Sequence, residues 1–170
     1  MSEKIQLIQV VSDKHETQVR KLLSEYIQWL KEKAKQEYGI SVNLDTTLQS
    51  FMKGFDAFYS ARGRMYLSQV DGEIVGIGCL KQLDNQVGEI KRMFVKSEYR
   101  GRGIGKLILD TLIADARSIG YTKVRLDSPK FSIEAHGLYQ SMGFRFIESY
   151  QGSEGAEAGA GLAVYMELVL

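Results

Sequence analysis

The sequence is poor in residues that build disulfides and metal centres, since its 170 residues include one cysteine and two histidines. A single cysteine excludes a disulfide within the chain. Two histidines far apart in the sequence do not have the spacing of a zinc or copper site, so we expect no metal. Cys79 stands in the apolar segment IVGIGCL, which favours an inert core residue over a reactive thiol.

Long apolar runs are also missing. No segment approaches the roughly 20 apolar residues that cross a bilayer. The first segment, MSEKIQLIQVVSDKHE, has no continuous apolar stretch behind a basic head. We therefore expect a cytoplasmic protein with no membrane partner.

Neither sign of charge is in excess, because 22 Lys and Arg stand against 21 Asp and Glu. The surface as a whole therefore offers no electrostatic reason to expect nucleic acid, and any basic patch must be local. The hydrophobic share of 44% and the length suit one compact domain covering residues 1–170.

Helical patterns dominate the N-terminal part after one short strand. Residues 4–11 alternate as a strand, and Asp13 with Glu16 resembles a capping box at the start of a helix. Apolar residues at helical spacing follow, and the helix is expected to stop near Gly39. Residues 44–55 predict a second, shorter helix.

Strand patterns dominate from Arg64 onward. Asp71-Gly72 between RMYLSQV and EIVGIGCLKQ predicts a two-residue hairpin, and EIKRMFV adds a third antiparallel strand. A helix, the strand YTKVRLDS, a helix over 131–141 and the strands FRFIESY and LAVYMELVL follow. The order predicts an α/β (α+β) fold with a mixed, largely antiparallel sheet of about seven strands and about four helices. The strands on either side of the 103–118 helix should be parallel neighbours.

Two features near the C-terminus bear on partners. The small residues of 151–161 cannot bury an apolar face, so we expect a mobile, solvated loop. Its Glu154 and Glu157 could also attract a cationic amine. The terminal strands could pair across a homodimer.

A glycine-rich loop at residues 101–105 is the main functional signal. Gly101, Gly103 and Gly105 allow backbone N–H groups to converge on an anion, and the helix that follows points its positive dipole end at the loop. Arg100, Arg102 and Lys106 add positive charge. A ligand bearing a diphosphate is the first hypothesis, nucleic-acid phosphate the second, and a plain strand-to-helix turn the third.

The spacing of the loop excludes two common nucleotide motifs. A P-loop requires GxxxxGK and then Ser or Thr, but the residue five before Gly105 is Arg100 and the residue after Lys106 is Leu107. A dinucleotide fingerprint requires GxGxxG at the first strand-to-helix turn of a parallel sheet, whereas this loop is GxGxG after three antiparallel strands.

The segment resembles the acetyl-coenzyme A loop of the GNAT N-acetyltransferase superfamily, which reads Gln or Arg, two residues, Gly, one residue, then Gly or Ala. Arg100, Gly103 and Gly105 complete that pattern. The preceding strand EIKRMFV and the later AHGLYQSMGF also stand where this superfamily has them, so the resemblance covers the chain from about Arg64. It implies a GNAT-like acyl-CoA acyltransferase fold.

The resemblance implies acetyl-CoA as the acetyl donor. In it, the backbone of Met93 to Val95 pairs with the pantetheine amides, and an N–H there polarises the thioester carbonyl. Ser132 stands where the family often has asparagine, so its shorter hydroxyl is a departure. The implied cofactor-binding residues are Met93, Phe94, Val95, Arg100, Gly101, Arg102, Gly103, Ile104, Gly105, Lys106 and Ser132.

Acetyl transfer to an amine requires a base and an acid beside the thioester. The resemblance implies Glu89 as the base, directly or through water, and Tyr139 as the acid at the sulfur. Glu89 could instead be a solvated residue after a turn, and Tyr139 a buried helix residue. Arg92 could pair with Glu89 and keep it ionised. His136 is a further titratable candidate, although such a residue is more often packed or solvated.

These features predict an N-acetyltransferase that moves acetyl to a primary amine by direct attack in a ternary complex. The alternative is a nonenzymatic acyl-CoA-binding sensor, which would need neither Glu89 nor Tyr139. A third hypothesis is binding of RNA or DNA through the cationic residues Arg92, Arg100, Arg102 and Lys106. Aromatic residues that could stack on bases are not interleaved with these cations, which argues against it. The acceptor amine is left open.

Overall fold

The computed structural model describes residues 4–157 and 161–170. Within them seven strands form one sheet: β1 Ile5–Gln9, β2 Arg64–Val70, β3 Glu73–Gln82, β4 Val87–Val95, β5 Lys123–Pro129, β6 Arg145–Ile147 and β7 Ala163–Val169. The helices there are α1 Glu16–Tyr38, α2 Leu44–Met52, α3 Ile104–Ile119, α4 Ile133–Ser141 and α5 Glu154–Glu157. The predicted fold class is confirmed, and α5 is the helix that the sequence did not predict.

The strand order is β1-β2-β3-β4-β5-β7-β6. Among the strands of residues 4–157 and 161–170, only β4 and β5 pair in parallel, and α3 makes the crossover between them, as predicted. β7 pairs with β5 along its whole length, and its residues 165–167 also pair with β6. The middle of β7 therefore has no free edge for pairing across a dimer, whereas β1 lies at the edge of the sheet.

Two predictions that depend on glycine concern the β2–β3 hairpin and the end of α1, and in both places the glycine adopts a positive φ. The β2–β3 hairpin turns at Asp71 and Gly72, whose φ angles are 46° and 89°. α1 ends at Gly39 with φ 67°, whose N–H is donated back to the carbonyls of the last turn. Both predictions are confirmed.

The predicted capping box at the start of α1 is wrong. Asp13 lies inside a short 3₁₀ helix, Asp13–His15, and Ser12 caps that helix by accepting a hydrogen bond from the Lys14 N–H at 3.4 Å. α1 begins one turn later at Glu16. Ser12 has the same capping chemistry as Asp13 and stands one residue earlier, so the sequence pattern identified the helix start but not its cap.

Two apolar cores cover the two faces of the sheet. One joins the sheet to α3 and α4 and includes Ile108, Leu109 and Leu112 of α3, each 0% exposed. The other joins the sheet to α1 and α2 and includes Leu23 and Cys79. Burial raises the pKa of the Cys79 thiol to about 12, which confirms the prediction of an inert core cysteine.

A bulge in β4 opens the sheet at its centre. Arg92 has φ 57°, and the pairing of β4 with β3 shifts between Ile77 and Cys79. β4 pairs with β5 only where Val87–Glu89 meets Lys123–Arg125. Beyond that point the two parallel neighbours separate, which leaves the outer part of β4 with an unpaired backbone edge.

No helix in the described part of the chain is long and apolar enough to cross a membrane. A search of the same residues for three or more His, Cys, Asp or Glu side chains arranged to hold a metal ion finds no such group.

Candidate active site

The gap between β4 and β5 is the mouth of a cavity of about 590 Å³. Its walls are the separated ends of the two strands, residues 90–95 and 126–129. The N-terminus of α3, the start of α4 and one face of α1 close it. A volume of this size and shape suits an elongated ligand that passes between the strands.

The glycine loop forms the end of this cavity. Gly101 and Gly103 have φ angles of 75° and 79°, a conformation that favours glycine. α3 then begins at Ile104, and its first hydrogen bond runs from the Leu107 N–H to the Gly103 carbonyl. The N–H groups of residues 104–106 therefore precede the first intrahelical donor and can bind an anion at the positive end of the helix.

Most of the residues that the sequence assigned to the cofactor lie together on this cavity. The structure places them along β4, the glycine loop and the start of α4, and those in the wall are Met93, Phe94, Val95, Arg100, Gly101, Gly103, Ile104, Gly105, Lys106 and Ser132. Arg102 is outside the described wall. Its guanidinium donates to the Glu98 carbonyl at 2.9 Å and lies 4.9 Å above the Tyr99 ring.

Arg100 connects the loop to β4 and to α1. Its Nε donates to the Val95 carbonyl at 2.9 Å, and its guanidinium lies 4.8 Å from the centre of the Trp29 ring. Trp29 in turn contacts Phe131 at 5.8 Å between ring centres. Arg100 therefore stabilises the loop, and α1 contributes an aromatic wall that the loop motif alone did not indicate.

Tyr139 of α4 reaches the same cavity. Its side chain is 5% exposed, and within the described structure its hydroxyl makes no hydrogen bond. Burial raises the pKa of this phenol above its ordinary value of 10.0. The hydroxyl stays protonated near neutral pH and can donate a proton to a group inside the cavity.

Glu89 is fully buried and is not part of the described cavity wall. It accepts a hydrogen bond from the Tyr150 hydroxyl at 3.0 Å, and the amines of Lys81 and Lys91 lie 3.5 and 3.6 Å from its oxygens. The solvated alternative for Glu89 is therefore wrong. Its role as a base stays a prediction, and from this position it would act through a neighbouring group.

The predicted pairing of Arg92 with Glu89 is wrong. Arg92 forms a bidentate pair with Glu154, at 2.8 and 2.9 Å, and its guanidinium lies 3.7 Å from the centre of the Phe51 ring. Lys81 faces Glu89 in register across the β3–β4 ladder and lies beside its carboxylate instead. The bulge at Arg92 gives this residue a backbone conformation that simple strand alternation does not predict.

Five charged residues form an ion cluster at the wall of the cavity: Glu89, Lys91, Arg92, Asp127 and Glu154. Lys91 is at its centre, with a side chain that is 2% exposed. Its Nζ lies 3.6 Å from Glu89, 3.7 Å from Asp127 and 3.4 Å from Glu154. Among the described residues this ammonium has ion-pair partners but no hydrogen bond.

Residues 153–156 are buried or half-buried, contrary to the solvated loop that the composition predicted, whereas residues 151, 152 and 157 are exposed. Ser153 is 0% exposed, and the Gly155 N–H donates to Asp127 Oδ2 at 2.6 Å. Burial alone would raise the pKa of Glu154, but the hydrogen bonds from Arg92 and the positive charges of Arg92 and Lys91 outweigh burial and lower the pKa to about 2. Residues 158–160 of the predicted loop lie outside the described residues.

Sequence reasoning missed Asp127 and Lys91, both of which line the cavity. A signal for each was present. Asp127 ends the apolar strand that was predicted to lie parallel to β4, and Lys91 interrupts the centre of a buried strand. Ionisable residues at such places require partners, but the sequence does not name those partners.

His136 is buried at 5% exposure and lies outside the described cavity wall. Its Nε2 is 3.1 Å from the Ser128 hydroxyl. Burial lowers the pKa of the imidazole below 6.5, so the ring is neutral at pH 7. This placement agrees with the packed alternative for His136.

The comparisons with known proteins agree with this geometry. A family model described as the Acetyltransferase (GNAT) family matches residues 42–144. N-acetylaspartate synthetase of Danio rerio is 32% identical over 107 residues, 61% of this chain and 38% of that protein. Human N-acetyltransferase 8 is 34% identical over 109 residues, 60% of this chain and 48% of that protein. The chain thus matches less than half the length of these two relatives.

The fold also matches solved structures. The PaiA N-acetyltransferase of Thermoplasma acidophilum, determined in complex with coenzyme A, superposes with a TM-score of 0.74. The match covers 98% of this chain and 99% of that one at 16% sequence identity. At this identity the likeness shows a shared fold.

The Arg92–Glu154 pair predicts a pH-dependent contribution to stability. Because the pKa of Glu154 is lowered from 4.5 to about 2, the contribution is complete above pH 4.5 and is lost as the pH falls toward 2. Glu154→Gln should lower the melting temperature at pH 7, and the difference from wild type should shrink below pH 4.5. Thermal unfolding followed by circular dichroism at pH values from 7 to 3 measures this.

Glu157→Gln is the matched control, because Glu157 lies on the same helix and is exposed. Its substitution should change stability by no more than about 0.5 kcal/mol. Equal losses in both variants, or a loss for Glu154→Gln that does not vary with pH, would show that the pair with Arg92 does not stabilise the fold.

Proposed function

Because the chain belongs to the GNAT acetyltransferase family, we propose that it moves the acetyl group of acetyl-CoA to a primary amine by direct attack in a ternary complex. The observation that carries this proposal is the gap between β4 and β5, which has the anion-binding end of α3 on one side and Tyr139 on another. The PaiA structure with coenzyme A and relatives named as N-acetyltransferases support it.

Donor binding uses mainly backbone groups. The diphosphate of acetyl-CoA is bound by the free N–H groups at the start of α3, with Lys106 beside them. The pantetheine arm pairs with the open edge of β4 beyond the bulge, from Met93 to Val95, as an added strand would. Ser132 lines the cavity at the start of α4 and offers a hydroxyl to the arm.

The reaction forms an amide bond to the amine nitrogen and breaks the bond between carbonyl carbon and sulfur. The attacking ammonium first loses a proton to a carboxylate, because only the neutral amine is nucleophilic. A backbone N–H of β4 stabilises the oxyanion of the tetrahedral intermediate. Tyr139 then gives its phenolic proton to the departing thiolate of coenzyme A, and the second proton that the amide nitrogen must lose restores the phenol. No covalent acyl-enzyme is involved, since the buried Cys79 lies outside the described wall.

Asp127 is a carboxylate of the cavity wall, from which it can receive the amine proton directly. Its Oδ2 already accepts hydrogen bonds from the Gly155 N–H at 2.6 Å and the Ser153 hydroxyl at 3.2 Å, which orient the group. Glu89 has no such exposure. We assign Glu89 a positioning role, in which it holds the charged Lys91 beside Asp127, with proton transfer through Lys91 or water as the second possibility.

The donor site is tested by placing a negative charge at the start of α3. Gly103→Glu should abolish binding of acetyl-CoA in isothermal titration calorimetry, because its carboxylate repels the diphosphate. Gly120→Glu is the matched control, since Gly120 lies at the other end of α3 and also has a positive φ, 96°. Each substitution costs about 1–2 kcal/mol of stability in this conformation. Wild-type affinity in Gly103→Glu would overturn the donor site.

The acid is tested by removing one hydroxyl. Tyr139→Phe should lower turnover roughly 10- to 1000-fold with little change in affinity for acetyl-CoA, as the loss of a general acid does. Release of the coenzyme A thiol across a panel of amines, amino acids, polyamines and peptides measures turnover. Tyr121→Phe removes another buried hydroxyl, which donates to the Arg62 carbonyl away from the cavity, and should leave turnover unchanged. If both variants keep wild-type turnover, Tyr139 is not the acid.

The base is tested by comparing two isosteric substitutions over pH 5.5 to 9. Asp127→Asn should lower kcat by about 100-fold and flatten the rising limb of the pH–rate profile, because the amide cannot take a proton. Glu89→Gln should keep the shape of that limb and lower kcat less. The reverse result, a flat profile in Glu89→Gln and a normal one in Asp127→Asn, would assign the base to Glu89.

A further inference from the structure

The cavity presents two adjacent buried cations on one wall, Lys91 and Arg92. They are consecutive in sequence, and in a regular strand their side chains would point to opposite faces. The positive φ of Arg92 breaks that alternation, and both side chains reach Glu154. Both residues are at least nine-tenths buried. The cavity therefore has a cationic subsite distinct from the anion-binding end of α3.

The hydrogen-bonding capacity of these two cations is not used up by the described residues. Lys91 Nζ has three carboxylates at 3.4 to 3.7 Å but no hydrogen bond. Arg92 Nε is also buried without an acceptor. Buried donors left without acceptors are unfavourable, and in natural proteins they mark places where a ligand or water completes the bonding. A ligand at this subsite would have to supply acceptor oxygens.

The ion pair between Arg92 and Glu154 indicates the shape of ligand that fits this subsite. Glu154 presents a carboxylate to the two terminal nitrogens of the guanidinium in a fork, and Phe51 supports the flat side of that group. The Glu154 side chain is 43% exposed, whereas that of Arg92 is 7% exposed. Glu154 can therefore turn into water by a change of side-chain rotamer, while Arg92 stays in place to receive another carboxylate.

The positive charges of Lys91 and Arg92 favour a carboxylate over an ammonium as the ligand of this subsite. An ammonium would have to take Glu154 from Arg92 and leave a buried guanidinium unpaired, which is strongly unfavourable. A carboxylate exchanges with Glu154, so the charge around Arg92 and Lys91 does not change. Lys91 is also 3.7 Å from Asp127, the proposed base, so the amine and the carboxylate of one small acceptor would lie close together.

We propose that Lys91 and Arg92 bind a carboxylate of the acceptor, which is therefore a small amino acid-like amine, and that Glu154 occupies this subsite until the acceptor arrives. The proposal rests on the proposed acetyl transfer and specifies its acceptor class. Asp127 faces the amine of the same molecule, and the open edge of β4 presents the thioester to it.

Matched acceptor pairs test the proposal with the full chain. Phenylalanine and histidine are compared with phenethylamine and histamine, which keep the amine and side chain but lack the carboxylate. Hydrogen bonds to charged groups predict a kcat/KM roughly 10- to 100-fold higher for the acid of each pair. Equal or higher values for the decarboxylated amines would overturn the carboxylate subsite and leave acetyl transfer itself standing.

Three variants identify the residues. Arg92→Gln should bring the acid-to-amine ratio close to one, and Arg92→Lys, which keeps the charge but loses the fork, should give an intermediate ratio. Glu154→Gln should raise kcat/KM for the acids alone, because the competing carboxylate is gone, while Glu157→Gln should match wild type. A ratio that is unchanged in Arg92→Gln, or acids that lose activity in Glu154→Gln, would contradict the assignment.

A binding measurement separates this proposal from the proposed function. N-acetylphenylalanine and its uncharged amide are titrated into the protein saturated with coenzyme A. This titration measures binding and requires no turnover. The acid should bind roughly tenfold or more tightly than the amide in wild type, and the difference should vanish in Arg92→Gln. If the protein binds the acid more tightly than the amide but transfers no acetyl group to any amine, the proposed function is wrong and the subsite stands. If the acid and the amide bind equally, the subsite is wrong and the proposed function stands. Unchanged affinity of Arg92→Gln for acetyl-CoA shows that the variant is folded.

Discussion

The separation of β4 from β5 is the constraint on which the rest of this structure depends. Two parallel strands that begin as neighbours lose their pairing after three residues, because β4 carries a bulge at Arg92. Backbone groups that leave a ladder must find other partners or meet a ligand. The unpaired edge, the cavity behind it and the position of α3 at its end follow from this one irregularity. A regular strand here would close the sheet and remove the site.

Ionic groups occur at the centre of the molecule, beside this bulge. Burying ions is unfavourable unless each finds a partner, and replacing them by apolar residues often increases stability. Three carboxylates of the ion cluster nevertheless face Lys91, and Lys81 and Arg92 bring the local charge close to balance. Such an arrangement contributes less to stability than apolar packing would. It does provide hydrogen-bonding groups at fixed positions beside the cavity in which the thioester is proposed to bind.

The parts of the fold that depend on residues close together in the sequence could be predicted from the sequence. The hairpin at Asp71-Gly72, the end of α1 and the glycine loop before α3 each require a backbone conformation that glycine favours, so the residue type indicates the geometry. The bulge at Arg92 has no such signal, because arginine is not enriched at positive φ. The partner of Arg92 lies 62 residues away on α5, and composition alone placed that segment in solvent. Long-range pairs of this kind depend on the folded sheet.

This difference also explains why the donor could be read from the sequence and the acceptor could not. The proposed donor site consists largely of backbone N–H groups whose geometry requires glycines at fixed spacing, so a short motif indicates it. The side chains of the proposed acceptor site come from β4, β5 and α1, with α5 behind them, and no local spacing relates these elements. Their arrangement becomes visible only when the folded sheet brings Asp127 and Glu154 each within 4 Å of Lys91. Acceptor choice can therefore change through single side chains while the donor site stays the same.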